Sequence, residues 1–173
     1  MIFVTVGTGR FPFDRLLKVI DGGLKTGLIN EEVFAQTGSS QYIPKFFKYR
    51  DFLAFNEMIE FIQKANITVA HAGVGSTLLC LNLYKIPIAF PRLMKLGELV
   101  DDHQLEFAKR MEVQKKILAA YDEQDLLDKI KNYNRLINAL PNRNLSSNKS
   151  NLVHFLKSII DEKSNIFCRR QAI

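Results

Sequence analysis

Hydrophobic positions along this chain switch repeatedly between a short continuous run and a helical period, and the switches divide it into alternating strands and helices. Residues 2–6 form a β-branched apolar run closed by Gly7-Thr8-Gly9, which predicts a buried strand. Leu16, Leu17, Ile20 and Leu24 then recur at helical spacing behind Pro12, predicting a helix over 13–24 that Gly22, Gly23 and Gly27 weaken and end. Val33–Gln36 reads as a second strand, followed by a Gly38-Ser39-Ser40 loop and a further strand around 47–52. Asn56 is the expected N-cap of a helix over 57–64. Residues 67–70 form another buried strand, 76–83 a helix, and 86–90 a strand flanked by Pro87 and Pro91. A loop over 93–100 leads to a helix capped by Asp101 or Asp102 and running to about Met111. A short strand over 116–118 and amphipathic helices over 124–140 and 151–161, separated by a polar stretch over 141–150, complete the pattern.

Strands alternating with helices imply a parallel sheet covered on both faces. Right-handed crossovers make it a single doubly wound, Rossmann-like α/β domain. Ligands of such sheets lie at the carboxyl ends of the strands, beside the point where strand order reverses. The Gly-rich turns at 7–9 and 73–75 both follow strands, so they line one crevice if those strands are neighbours. The pattern assigns one domain to residues 1–163 and a loosely ordered tail to 164–173.

Composition narrows this picture. A chain of 173 residues suffices for one domain with a proper core. No apolar run approaches the roughly 20 residues that a membrane-spanning helix needs, and the opening MIFVTVGTGR lacks the basic region of a signal peptide. A cytoplasmic location is the expectation. Cys80 within TLLCLNL and Cys168 near the end read as a core thiol and a tail thiol, without metal-ligand or disulfide spacing. The net charge of +6 suits an anionic substrate or membrane surface as well as nucleic acid. Aromatics are not interleaved with a basic stripe, so nucleic acid is not the expected partner.

Three clusters carry candidate chemistry. In the segment His71-Ala72-Gly73-Val74-Gly75-Ser76-Thr77, Gly73 and Gly75 let backbone approach an anion closely. Ser76 and Thr77 fall at a helix start, where free N–H groups and the helix dipole favour phosphate, and their hydroxyls add donors. His71 donates a hydrogen bond to a phosphate oxygen, or a full charge if protonated. By spacing alone the segment is equally a strand-to-helix turn with a capping serine. The Gly7-Thr8-Gly9 turn offers N–H groups to a ligand, or merely closes a strand. Glu98, Asp101, Asp102, His103 and Gln104 suit sugar hydroxyls, or form a solvated acidic helix start. Adjacent residues diverge on a helix, so Asp101, Asp102 and His103 make a poor metal site and none is expected. No Walker A sequence and no nucleophile elbow is present.

FVTVGT at the start, FD at 13–14, VFAQTGSS at 33–40, EM at 57–58, HAGVGS at 71–76, IPIAFPR at 86–92 and ELVDDHQLEFA at 98–108 together carry a family resemblance. The chain resembles the C-terminal domain of the MurG-like glycosyltransferases, over about residues 1–130. It is most similar to the small stand-alone proteins of that type, such as the PssE-type subunits of exopolysaccharide synthesis. The resemblance implies the donor-binding half of a two-domain GT-B enzyme. The acceptor-binding half is then a separate, membrane-anchored subunit, which recruits this chain to the inner face of the membrane.

The implied reaction moves a sugar from a UDP-sugar to a lipid-linked acceptor, with no metal or other cofactor. His71, Gly73, Gly75 and Ser76 are implied to contact the diphosphate, with His71 stabilising the leaving group. Gly7 and Thr8 border the cleft, and Asp102, His103 and Gln104 face the donor sugar. The partner supplies the general base. One position departs from the pattern: relatives carry a glutamate three residues past the serine, where it binds the ribose hydroxyls, and here that residue is Leu79. A non-catalytic accessory subunit that stabilises a partner transferase is the alternative, and a nucleotide- or sugar-phosphate-binding sensor a second one. Self-association of the isolated chain stays open.

Overall fold

A computed structural model of the chain describes residues 1–140. The expected helix over 151–161, the boundary at 163, the tail over 164–173 and Cys168 lie outside the described residues.

Six parallel strands form one sheet: β1 (Ile2–Thr5), β2 (Val33–Gln36), β3 (Lys48–Arg50), β4 (Ile67–Ala70), β5 (Ile88–Ala89) and β6 (Leu118–Ala119). Their spatial order is β3-β2-β1-β4-β5-β6. The helices are α1 (Asp14–Lys25), α2 (Phe55–Lys64), α3 (Val74–Asn82), α4 (His103–Val113), α5 (Glu123–Lys131) and α6 (Tyr133–Ala139). This is the doubly wound, Rossmann-like sheet that the alternation predicts. The central strands β1 and β4 are buried along their whole length, as continuous apolar runs in a covered parallel sheet must be. The edge strand β3 is exposed throughout and carries Lys48 and Arg50, charges that discourage further strand pairing.

Phe3 points from β1 into a cluster with Ile62 of α2 and Cys80 of α3. Phe3, Phe61 and Phe34 stack there, with ring centroids 5.5 and 4.1 Å apart. Burial in this cluster pushes the Cys80 thiol up to about 12, so Cys80 is a neutral core residue. Helices α1 and α5 pack on one another, and Gly23 makes their approach close: a Cβ there would stand 2.8 Å from Leu127 Cδ2 and from Ile29 Cδ1. The glycines at 22 and 23 lie inside α1 rather than ending it, and at Gly23 the close packing outweighs the low helix propensity.

Several boundaries move for identifiable reasons. Helix α2 begins at Phe55, not after an Asn56 cap, because Glu57 Oε2 accepts the Ala54 N–H at 3.0 Å and closes the first turn. The strand expected over 86–90 shrinks to two residues behind Pro87, which has no N–H to give the ladder. The loop over 93–100 holds one short 3₁₀ turn (Met94–Leu96), ended by Gly97 at φ 69°. The single helix expected over 124–140 breaks at Asn132, whose side chain donates to the Asp128 carbonyl at 2.8 Å and turns the chain. Tyr133 then reaches into the core and donates to the Ile86 carbonyl at 2.7 Å.

Strand order reverses between β1 and β4, which pair directly in register Thr5–Ala70. The turns that follow them therefore stand side by side at the carboxyl edge of the sheet.

Candidate functional site

A cleft of about 490 Å³ opens at this edge, a size in the range that holds small-molecule ligands. Gly7, Thr8 and Gly9 form one wall, and His71, Gly75 and Ser76 form the next. Gln36, Leu53, Phe55, Met58 and Leu79 complete the lining.

Helix α3 points its N-terminus into the cleft. Its N-cap is Gly73, which offers no side-chain cap, and the first intrahelical bond begins only at Thr77 N, which donates to Gly73 O at 3.0 Å. The N–H groups of Val74, Gly75 and Ser76 are left with no acceptor in their own helix and add to the positive end of the dipole. Ala72 makes the bend from β4 into this helix at φ 57°, a left-handed conformation unusual for alanine.

His71 sits at the end of β4, almost wholly buried, with its ring held between two glycines. A Cβ on Gly7 would stand 2.4 Å from His71 Cε1, and a Cβ on Gly73 only 2.1 Å from Nε2. Gly73 thus makes room for the imidazole and does not itself line the cleft. The His71 Nδ1 lies 3.4 Å from the Thr5 carbonyl, which can only accept, so Nδ1 carries the proton of the neutral ring. Burial holds His71 neutral, with the nearby Arg92 charge and a smaller contribution from His103 acting in the same direction; its pKa falls to about 4. In its resting state Nε2 is therefore a hydrogen-bond acceptor with no partner among the described residues. Donation from Nε2 to a phosphate oxygen, as the sequence suggests, therefore needs the ring to be protonated first.

The remaining expected residues divide. Gly7, Thr8, Gly75 and Ser76 gather with His71 around the cleft. Thr77 does not: α3 turns it into the core, fully buried, with its hydroxyl unpartnered. Replacing it with valine removes a buried, unsatisfied polar group at almost constant shape. Thr77→Val is expected to stabilise the domain by about 1 kcal/mol in urea unfolding. A destabilised variant would show that the hydroxyl has a partner after all.

Asp102, His103 and Gln104 also do not line the cleft. Gln104 is buried and its Oε1 accepts Arg92 N at 3.1 Å. Asp102 Oδ1 accepts Met94 N at 2.9 Å, and His103 Nδ1 bonds the Asp101 carboxylate. The three close the connection from β5 into α4, which is why polar residues stand there. Among the described residues no group of three His, Cys, Asp or Glu side chains is arranged to hold a metal ion.

Two functional side chains were not singled out by spacing. Gln36, at the end of β2, donates from Nε2 to Gly7 O at 3.2 Å and accepts Leu53 N on Oε1 at 3.2 Å. It ties together the loops that form three sides of the cleft. Its signal is a polar residue ending a buried strand.

Arg92, just past β5, is almost completely buried, with Nη2 donating to Val6 O at 2.9 Å and Phe11 O at 3.0 Å. Its guanidinium lies 4.8 Å from the centre of the Phe13 ring, and its Nε has no partner. The nearby Arg15 takes the Glu98 carboxylate in a two-pronged bridge at 2.8 and 2.9 Å. Burial lowers the Arg92 pKa to about 10, so it stays charged at neutral pH, behind the cleft and close enough to act on His71.

A crevice at the reversal of a parallel sheet, faced by an uncapped helix start, offers free N–H groups of the kind that suit an anionic ligand. Comparison with known proteins agrees with the architecture. The crystal structure of the glycotransferase of kitacinnamycin is similar with a TM-score of 0.51 at 10% identity, over 80% of this chain and 39% of that one. The glycosyltransferase SnogD from Streptomyces nogalater is similar with a TM-score of 0.44 at 11% identity, over 82% of this chain and 40% of that one. The chain thus spans about two-fifths of the length of these transferases. No curated protein matches its sequence. The profile of the glycosyltransferase family 28 C-terminal domain matches residues 1–162, nearly the whole chain. With that match and the GT-B type of sheet, the chain belongs to the family 28 glycosyltransferase C-terminal domains.

Proposed function

We propose that this chain is the donor-binding half of a two-component transferase that moves a hexose from a UDP-sugar to a lipid-linked acceptor, as in exopolysaccharide synthesis by PssE-type subunits. The observation that carries the reading is the α3 N-terminus facing the cleft beside His71, with Gly7 and Thr8 opposite. Val74, Gly75 and Ser76 donate to the diphosphate. The resting Nε2 of His71 takes up a proton when the diphosphate arrives, because the ligand's negative charge offsets what burial and Arg92 impose. His71 then donates to the leaving phosphate and stabilises it as the glycosidic bond breaks.

An acceptor half has a surface to dock on. Phe52, Phe55, Val74, Met94, Leu96 and Val100 are exposed apolar residues in the loops and helix starts that follow the strands at the carboxyl edge of the sheet. A separate membrane-anchored subunit covers this rim, brings the lipid-linked acceptor and supplies the general base. No helix among the described residues is long and apolar enough to cross a membrane.

Calorimetry of the purified chain, alone and with that partner, against UDP and UDP-sugars tests the reading. UDP is expected to bind, and Ser76→Ala to weaken it about tenfold, the effect of losing one hydrogen bond to a charged group. No binding under either condition refutes donor binding and leaves the accessory-subunit alternative.

A further inference from the structure

The cleft lining contains two chemically different groups of residues, bridged by Gln36. Gly7, Thr8, His71, Gly75 and Ser76 supply polar groups and backbone, and Leu53, Phe55, Met58 and Leu79 supply apolar surface. Ser76 and Leu79 are three residues apart on α3, so they lie on the same helix face, about 4.5 Å apart along the axis. Helical side chains lean back toward the N-terminus, so Leu79 covers the turn that presents Ser76. A phosphate held at Ser76 therefore places the attached nucleoside sugar against Leu79.

A pair of adjacent ribose hydroxyls is read most strongly by a carboxylate, which accepts from both. Among the described residues no Asp or Glu lines the cleft. Glu57, next to Met58, is engaged elsewhere, accepting from Arg50 Nη1 at 2.7 Å and from Ala54 N at 3.0 Å. The Gln36 amide is committed at both ends, to Gly7 O and Leu53 N. Beside Leu79 the lining offers the nucleoside the apolar side chains of Leu53 and Met58 and the exposed Phe55 ring, a face for the base.

We infer that this cleft holds the nucleoside by apolar contact without reading its 2′-hydroxyl, so that ribonucleoside and 2′-deoxyribonucleoside diphosphates bind alike, with Leu79 as the residue that sets this tolerance. The inference rests on the donor-binding reading above.

The test is calorimetry of the full chain with UDP and with 2′-deoxyuridine 5′-diphosphate, which differ only at the 2′ position. The two affinities are expected to agree within about threefold, because a lost hydrogen bond to a charged group would separate them by about tenfold or more. A UDP preference of that size overturns the inference while donor binding stands. Failure of both nucleotides to bind removes the inference together with the reading beneath it.

Leu79→Glu is expected to create a UDP preference of about tenfold, whatever repulsion from the diphosphate does to both affinities together. Leu79→Gln, which adds no charge to a half-buried position, is expected to shift the ratio in the same direction by less. Thermal melting confirms that each variant is folded. An unchanged ratio in folded variants would show that Leu79 does not face the sugar, which also overturns the inference.

Discussion

Replacing Gly7 with alanine is expected to destabilise the domain by about 3 kcal/mol in urea unfolding. About 1 kcal/mol of this comes from the backbone, since Gly7 holds φ 78°, a left-handed conformation that a Cβ opposes. The larger part, about 2 kcal/mol, comes from overpacking against the His71 ring, 2.4 Å from the new Cβ. The ring has little room to retreat, because Gly73 also lies tight against it and the Thr5 carbonyl holds Nδ1. A double-mutant cycle separates the two contributions. In a His71→Ala background, Gly7→Ala should cost only the backbone share, giving a coupling of about 2 kcal/mol. Equal costs in the two backgrounds would mean that the turn, and not the ring, excludes the side chain. The same displacement of the ring should weaken UDP binding, since the seat of His71 is part of the site.

The second large effect is on pH dependence. The His71 pKa is about 4 in the folded protein and about 6.5 when the chain unfolds. Between these values the unfolded chain binds a proton that the folded one does not, so stability falls as pH falls. The contribution is fully present above about pH 6.5 and is lost by about pH 4, a change of about 3 kcal/mol. His71→Gln has no such proton to gain. The stability difference between wild type and this variant, followed by urea unfolding from pH 7 to pH 4, should therefore shrink or reverse by that amount. Carboxylates that titrate over the same range are common to both proteins and cancel. A difference that stays constant with pH would show that His71 is not held neutral. Bound diphosphate should pull this transition upward, because it supplies the negative charge that a protonated ring lacks in the free protein.

The sequence by itself determined the class of fold. Runs such as IFVT and ITVA leave no polar face, and only a parallel sheet covered on both sides accommodates strands of that kind. The alternation with helical periods then dictates a doubly wound sheet, and Gly7 after β1 marks a bend in its backbone, whereas after β4 the bend falls on Ala72. Those are local properties, written in residue type and spacing. The crossing of those two turns at one crevice depended on β1 and β4 being neighbours, which is a matter of strand order.

Tertiary structure alone decided what the individual side chains do. Thr77 looks like a second hydroxyl beside Ser76, but 100° of helical rotation per residue carries it into the core. Gln104 and Asp102 look like sugar ligands, but their oxygens are taken by backbone N–H groups of the β5–α4 connection. Gln36 and Arg92 stand inside VFAQTGSS and IPIAFPR, but local spacing does not show what they hold, because their side-chain partners lie 17 to 86 residues away in the chain. His71 shows the division most clearly. Its place at the end of a strand and before a helix was legible, but its charge state was not. Burial between Gly7 and Gly73, and the field of Arg92, act through space, and spacing along a chain contains neither.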